Sequence, residues 1–397
     1  MDGSIRLRDP RTLRAVGPPL LGHVGAVRAM AVSPDGSALV SAGFDGTMRV
    51  WDIGSHPPLA DVMTARPGPI RGLALDDTAS QVAAVRRDGG VDLARIGSTR
   101  PRATLARVSG GAAVSPPEVA FSADGRRLAL AGARGWLRVW SVAGEPALVA
   151  RRRHGAPVTG VALAPDGRVA ASSDFDGSVR LWSLARSQTA PLVVFTTRTP
   201  ATALRFTPDG QRVLVGQFDG MIATWDVERR RAVERPLRVA DNEVLAIAID
   251  DAHERAAAAI ANGRVALLDL APSPRVVAQL DAHTGRANAV AFSRDGRTLA
   301  SGGEDGRIVL WDVDGRRRVG DPLTAHRAGI AAVTFDPQGR VVSADTTARV
   351  LRWDPLVVAT GYAAWRRRIC RMAGRSLTSS EWSSDAAGRP LHRACPT

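Results

Sequence analysis

One short strand motif recurs nine times along the chain at an almost constant step. The copies read SIRLRD, TMRVWD, GVDLAR, WLRVWS, SVRLWS, MIATWD, RVALLD, RIVLWD and ARVLRWD. Their last residues are Asp9, Asp52, Arg95, Ser141, Ser183, Asp226, Asp269, Asp312 and Asp354, so the gaps run 43, 43, 46, 42, 43, 43, 43 and 42. A period kept over so many intervals restricts the chain to a repeat architecture, in which each unit buries its apolar face against its neighbours.

The punctuation inside each period is that of short strands. Val27–Gly36, Ala203–Gly210 and Asn288–Gly296 are alternating apolar runs that end in Asp-Gly turns. A second strand follows (ALVSAG, TLASGG), then another turn, then the tryptophan-bearing third strand; PLADVMTA and PLVVFTT read as fourth strands. Four short antiparallel strands per 40–45 residues is the pattern of a propeller blade, and no helix-length periodic segment interrupts it before residue 360. The expected fold is all-β.

These motifs resemble the WD40-repeat family over about residues 2–355. The resemblance implies a buried polar chain in each blade, in which an indole N–H, a hydroxyl, an imidazole and a carboxylate are joined by hydrogen bonds. Such a chain is stable only when every member finds its partner. Carried over position by position, repeat 1 supplies His23, Ser41, Asp45 and Trp51, repeat 4 supplies His154, Ser172, Asp176 and Trp182, and repeat 7 supplies His283, Ser301, Asp305 and Trp311. Repeat 8 offers His326, Ser343 and Trp353 but has Thr347 where the carboxylate is expected. Repeat 5 has Asp219 and Trp225 with Val215 at the hydroxyl position, repeats 2 and 6 carry Ala94 and Leu268 in place of tryptophan, and repeat 3 has Trp140 without the polar partners. Those four blades are expected to be held by apolar packing alone.

Eight repeats carry first, second and third strands, and a ninth third strand stands alone at the start. The expectation is a WD40-type β-propeller of eight four-stranded blades over residues 1–355, closed by the strand Thr12 to Leu21 in the last blade. Seven blades is the alternative. Residues 356–397 read as a short helical, Arg-rich tail, with Trp365, Ile369 and Met372 at helical spacing and a capping box at Thr378 and Glu381. This tail resembles the one that follows WD40 propellers in bacterial STAND-type signalling ATPases. The resemblance implies either the separated regulatory part of such a protein or a relative of it.

Composition then removes most enzyme classes. All 53 basic residues are arginine, so a Walker loop, a protein-kinase fold and a pyridoxal Schiff base, each of which needs a lysine amine, are excluded. No GxSxG, GxGxxG, HExxH or CxxC occurs. His392, Cys370 and Cys395 match no standard metal spacing. No catalytic residue, cofactor or metal is expected. The longest charge-free stretch, Ala15 to Val27, has 13 residues, too few to span a bilayer. A cytoplasmic monomer with no membrane partner is expected.

Binding is the remaining class. The expected reading is a non-enzymatic scaffold or sensor that binds protein partners in bacterial signalling. Turns between second and third strands carry Phe44, Phe175 and Phe218, and Arg28, Arg71, Arg87 and Arg134 fall near the same face by register. The formal charge of +14, with runs at Arg229 to Arg231, Arg316 to Arg318 and Arg366 to Arg368, leaves an acidic partner, a nucleic acid or another polyanion as the alternative. Codon bias toward arginine would account for the same excess.

Overall fold

The computed structural model describes residues 4–7, 27–32, 38–43, 48–52, 70–77, 79–86, 90–96, 101–105, 119–132, 134–185, 190–250, 252–271, 273–319 and 322–353. Every regular element among them is a strand; none is a helix. The chain divides into two compact units, residues 61–352 and residues 1–60 with 353–397.

In the smaller unit, β1 (Val27–Val32), β2 (Ala38–Gly43) and β3 (Met48–Asp52) form one antiparallel sheet, and Ile5 packs with Leu7, Val27 and Leu39. The larger unit holds seven sheets. Repeat 2 comprises β4 (Ile70–Leu75), β5 (Gln81–Arg86), β6 (Val91–Arg95) and β7 (Ala103–Leu105). Repeat 3 comprises β8 (Val119–Phe121), β9 (Arg127–Gly132), β10 (Trp136–Ser141) and β11 (Ala147–Arg153). Repeat 4 comprises β12 (Val158–Leu163), β13 (Val169–Asp174), β14 (Ser178–Ser183) and β15 (Pro191–Thr196). In repeat 5, β16 (Ala201–Phe206), β17 (Arg212–Gln217) and β18 (Met221–Asp226) are edged by β19 (Arg231–Ala232) and β20 (Leu237–Arg238). Repeat 6 comprises β21 (Val244–Asp250), β22 (Arg255–Ile260), β23 (Arg264–Asp269) and β24 (Arg275–Asp281). In repeat 7, β25 (Ala287–Phe292), β26 (Thr298–Gly303) and β27 (Arg307–Asp312) are edged by β28 (Arg317–Arg318) and β29 (Leu323–Thr324). Repeat 8 comprises β30 (Ile330–Phe335), β31 (Val341–Asp345) and β32 (Val350–Arg352).

The first strands pack side by side in the cyclic order β4, β8, β12, β16, β21, β25, β30 and back to β4. The ring therefore has seven blades rather than the expected eight. Repeats 8 and 2 meet directly, so the ring of the larger unit closes without repeat 1. The expected closing strand Thr12 to Leu21 and the helical tail lie outside the described residues.

The core lies between blades rather than within them. Each apolar cluster draws on two neighbours, for example Ala131, Leu137 and Val139 of repeat 3 with Val161, Leu163 and Trp182 of repeat 4. Second strands are made largely of small residues, such as VAASSD and RAAAAI, and are almost wholly buried, which lets facing sheets approach closely. The turns between second and third strands need a left-handed residue. Gly220 supplies it at φ 79°, and a Cβ there would strike the Ala240 carbonyl at 2.1 Å.

Candidate interaction surface

Among the described residues, three polar chains fix the inner geometry of the blades. In repeat 4 the Trp182 indole donates to Ser172 Oγ at 2.7 Å, and Ser172 Oγ lies 2.6 Å from His154 Nε2. His154 Nδ1 is 2.9 Å from Asp174 Oδ2. Because an indole only donates and a carboxylate only accepts, the serine hydroxyl donates to Nε2 and Nδ1–H donates to the aspartate. The carboxylate is thus Asp174, at the end of the second strand, and not Asp176, which is exposed in the turn. Asp174 also accepts from the backbone N–H groups of Asp176 and Ser178, so its place at the strand end lets it hold the ring and the turn together.

Repeat 7 uses the turn position instead: His283 Nδ1 reaches Asp305 Oδ1 at 3.1 Å, Nε2 reaches Ser301 Oγ at 3.0 Å, and Trp311 donates to Ser301 at 3.1 Å. The strand-end position there is Gly303, where a Cβ would lie 2.4 Å from the His283 ring. Repeat 8 does have a carboxylate, contrary to expectation. Asp345 bonds His326 Nδ1 at 2.8 Å, while His326 Nε2 bonds Ser343 at 2.7 Å. Thr347, at the position where the repeat spacing places an acid, itself donates to Asp345. Trp353 is buried. Burial holds His154 and His283 below the usual imidazole value, outweighing the adjacent Asp174 and Asp305, so both rings are neutral.

Repeat 2 is not held by apolar packing alone, contrary to expectation. In repeat 2 the fully buried Asp92 accepts from Thr104 Oγ1 at 2.9 Å and lies 3.3 Å from the Arg86 guanidinium. In repeat 5, Trp225 stacks on Phe195 of repeat 4 at 4.0 Å and 7°, and its buried Nε1 has no hydrogen-bond partner. In repeat 6, Leu268 is buried among aliphatic neighbours.

Sequence reasoning also missed a set of links between blades. Every first strand described with a full register has a bulge at its second residue. At that position Thr159 donates to Ala201 O at 2.6 Å, Thr202 to Val244 O at 2.7 Å and Asn288 to Ile330 O at 3.1 Å. Each link ties one blade to the first residue of the next. The signal was legible as a lone polar residue in the second place of an apolar strand. Arg28 and Arg71 occupy the same register place in β1 and β4.

Among the described residues, the turns between second and third strands hold two exposed aromatic side chains, Phe175 and Phe218. The residue after the second strand donates its backbone N–H to the loop before the first strand in five repeats: Phe175 to Pro157, Phe218 to Pro200, Ala261 to Glu243, Glu304 to Arg286 and Thr346 to Gly329. Phe175 and Phe218 are 48% and 57% exposed, on adjacent blades. Arg134 is exposed in the matching turn of repeat 3. Phe44, Arg87, His23 and Asp45 lie outside the described residues, and only the strand places of Ser41, which is buried, and Trp51 are described for repeat 1. On the turns after third strands, Arg229 and Arg317 fold back on Asp226 and Asp312, both at 3.3 Å or less. Among the described residues no group of three or more His, Cys, Asp or Glu side chains could hold a metal.

A family model described as "WD domain, G-beta repeat" matches residues 17–52, 148–183, 190–226 and 274–312, segments that end on the third strands bearing Trp51, Trp182, Trp225 and Trp311. Among curated proteins, the Protein LST8 homolog of Drosophila melanogaster is 26% identical over 163 residues, covering 39% of this chain and 51% of that protein. Periodic tryptophan protein 2 of Arabidopsis thaliana is 29% identical over 40% of this chain and 17% of its own length. The small ribosomal subunit protein RACK1 of Candida albicans is 29% identical over 32% of this chain and 41% of its own length. The matches span about half the length of these relatives or less. With four matched repeats and a closed ring of seven sheets, the chain carries WD40 repeats and its larger unit is a seven-bladed WD40-type β-propeller.

Proposed function

We propose that this protein is a non-enzymatic binding module whose protein partner docks on the turn tips of repeats 4 and 5, with Phe175 and Phe218 as anchors. The observation that carries this reading is the indifference of the fold to that position. The same backbone hydrogen bond is made whether the residue is Phe, Ala, Glu or Thr, so packing does not require an aromatic there. Two half-exposed rings on neighbouring blades therefore spend apolar surface on water, and a partner that covers them recovers it. The ring of blades supplies a rigid base for these turns. One relative is named as a protein of the small ribosomal subunit, which supports a module that holds on to other molecules. The tail's resemblance to STAND-type ATPases supports a cytoplasmic role in bacterial signalling. No helix among the described residues is long and apolar enough to cross a membrane.

The test is affinity capture with the intact protein and with the Phe175→Ser, Phe218→Ser double variant at moderate salt. A partner retained by the first and lost by the second is expected, with affinity reduced by about 2 kcal/mol per anchor. Equal retention by both would refute the site.

A further inference from the structure

Three consecutive arginines end β11, and the sheet divides them between two faces. Register sets Trp136 opposite Arg153 and Arg138 opposite Arg151, so these four side chains share one face of the two outer strands of repeat 3. Arg152 points the other way, where it is buried and donates to Ser183 O of repeat 4 at 2.9 Å. The Arg151 guanidinium carbon lies 3.7 Å from the centroid of the Trp136 ring, and that of Arg153 lies 5.3 Å away. A guanidinium centred over an indole is held by the ring face, which leaves N–H groups for a planar acceptor.

Among the described residues no carboxylate of that kind meets Arg151 or Arg153. Arg151 and Arg153 are exposed, as is Arg134 in the turn just before β10, and none of the three has a carboxylate partner among the described residues. Burial, and next the nearby Arg151 charge, hold Arg138 below the usual guanidinium value. Elsewhere the exposed Arg264, Arg275 and Arg286 and the half-buried Arg255 each meet a carboxylate at 2.8 Å. Charged residues on an open strand also protect it from pairing with another sheet. That protection needs charge alone and gives no reason for a tryptophan beneath the guanidinium.

We propose that this face of repeat 3 docks an acidic protein segment, whose Asp or Glu carboxylates are taken by the Arg151 and Arg153 forks over the Trp136 floor, with Arg134 at the rim. Nucleic acid fits less well. The indole face that a base would stack on is already covered by Arg151. The inference does not depend on Phe175 or Phe218.

The test uses the full-length protein and fluorescence anisotropy with a labelled oligo-glutamate peptide, beside a single-stranded oligothymidylate of equal charge. The peptide should bind, and more tightly than the oligonucleotide. Arg151→Gln with Arg153→Gln should weaken it about tenfold or more, since each removes a charge-assisted fork. Arg151→Lys keeps the charge and the strand but not the fork, and should weaken it severalfold. The Phe175→Ser, Phe218→Ser variant should bind the peptide like the native protein, which separates this site from the turn-tip site. Absence of peptide binding, equal binding by the Gln pair, full retention by Arg151→Lys, or tighter binding of the oligonucleotide would each overturn the proposal.

Discussion

Repeats 4 and 5 are neighbours that share one apolar cluster and end in the same exposed phenylalanine, yet their tryptophans are held by opposite means. Trp182 starts an unbroken chain of hydrogen bonds through Ser172 and His154 to Asp174. Trp225 has Val215 where the serine would be, leaves its buried N–H unpaired, and relies on the ring of Phe195. The same indole is thus a hydrogen-bond terminus in one blade and a stacking surface in the next. A blade tolerates the loss of its polar chain when a neighbour's aromatic fills the space, because shape and apolar area dominate and a lone missing bond costs about 1–3 kcal/mol.

The largest difference between the two blades should appear on removing the indole chemistry. Trp182→Ala is expected to cost about 3–5 kcal/mol in urea unfolding of the intact protein, because it opens a cavity and strands the Ser172–His154 pair. Trp225→Phe deletes an N–H that has no partner and keeps a stacked ring, so it should change stability by less than about 1 kcal/mol. Amide exchange in β14 and β18 would show where the loss is felt. Equal costs for the two substitutions would mean that neither the cavity nor the stranded Ser172–His154 pair destabilises repeat 4.

A finer separation tests which carboxylate closes the chain. Asp174→Ala removes the acceptor for His154 and for two turn amides and should cost about 1–3 kcal/mol. Asp176→Ala, at an exposed turn position, should stay within about 0.5 kcal/mol. Reversed costs would restore the assignment that spacing alone suggests.

That assignment shows where sequence stopped being informative. The period, the strand order within each blade and the Trp, Ser and His of repeats 4 and 7 were legible, because each recurs at a fixed offset. The carboxylate was not, since Asp174 and Asp176 both lie within reach of the same turn and only the ring's position chooses between them. Repeat 7 carries Gly303 at the strand end and uses Asp305, whereas repeat 8 uses Asp345 at the strand end. Blade number was equally hidden. Eight similar repeats do not say which two meet, and the packing of β30 on β4 decides it. The Arg151–Trp136 stack needed a cross-strand register with a bulge between Val139 and Trp140, which no sequence pattern announces. The turn-tip aromatics Phe175 and Phe218 were visible, but their exposure was not.

The smallest effect per step should come from acid. Burial places the folded-state pKa of His154 and of His283 below the ordinary value of 6.5. Below that value the unfolded chain takes up protons that the two buried rings refuse, so unfolding is favoured. Their contribution is therefore complete above about pH 6.5 and declines as pH falls, by up to about 1.4 kcal/mol per pH unit for each ring, until the folded rings themselves protonate. Repeat 5 has no such histidine, and amide exchange in β17 and β18 should respond less to this change than exchange in β13 and β14. His154→Gln should reduce the slope of stability against pH by one histidine's share while lowering stability at neutral pH. An unchanged slope would mean that His154 is protonated in the folded blade and that Asp174 holds it as an ion pair.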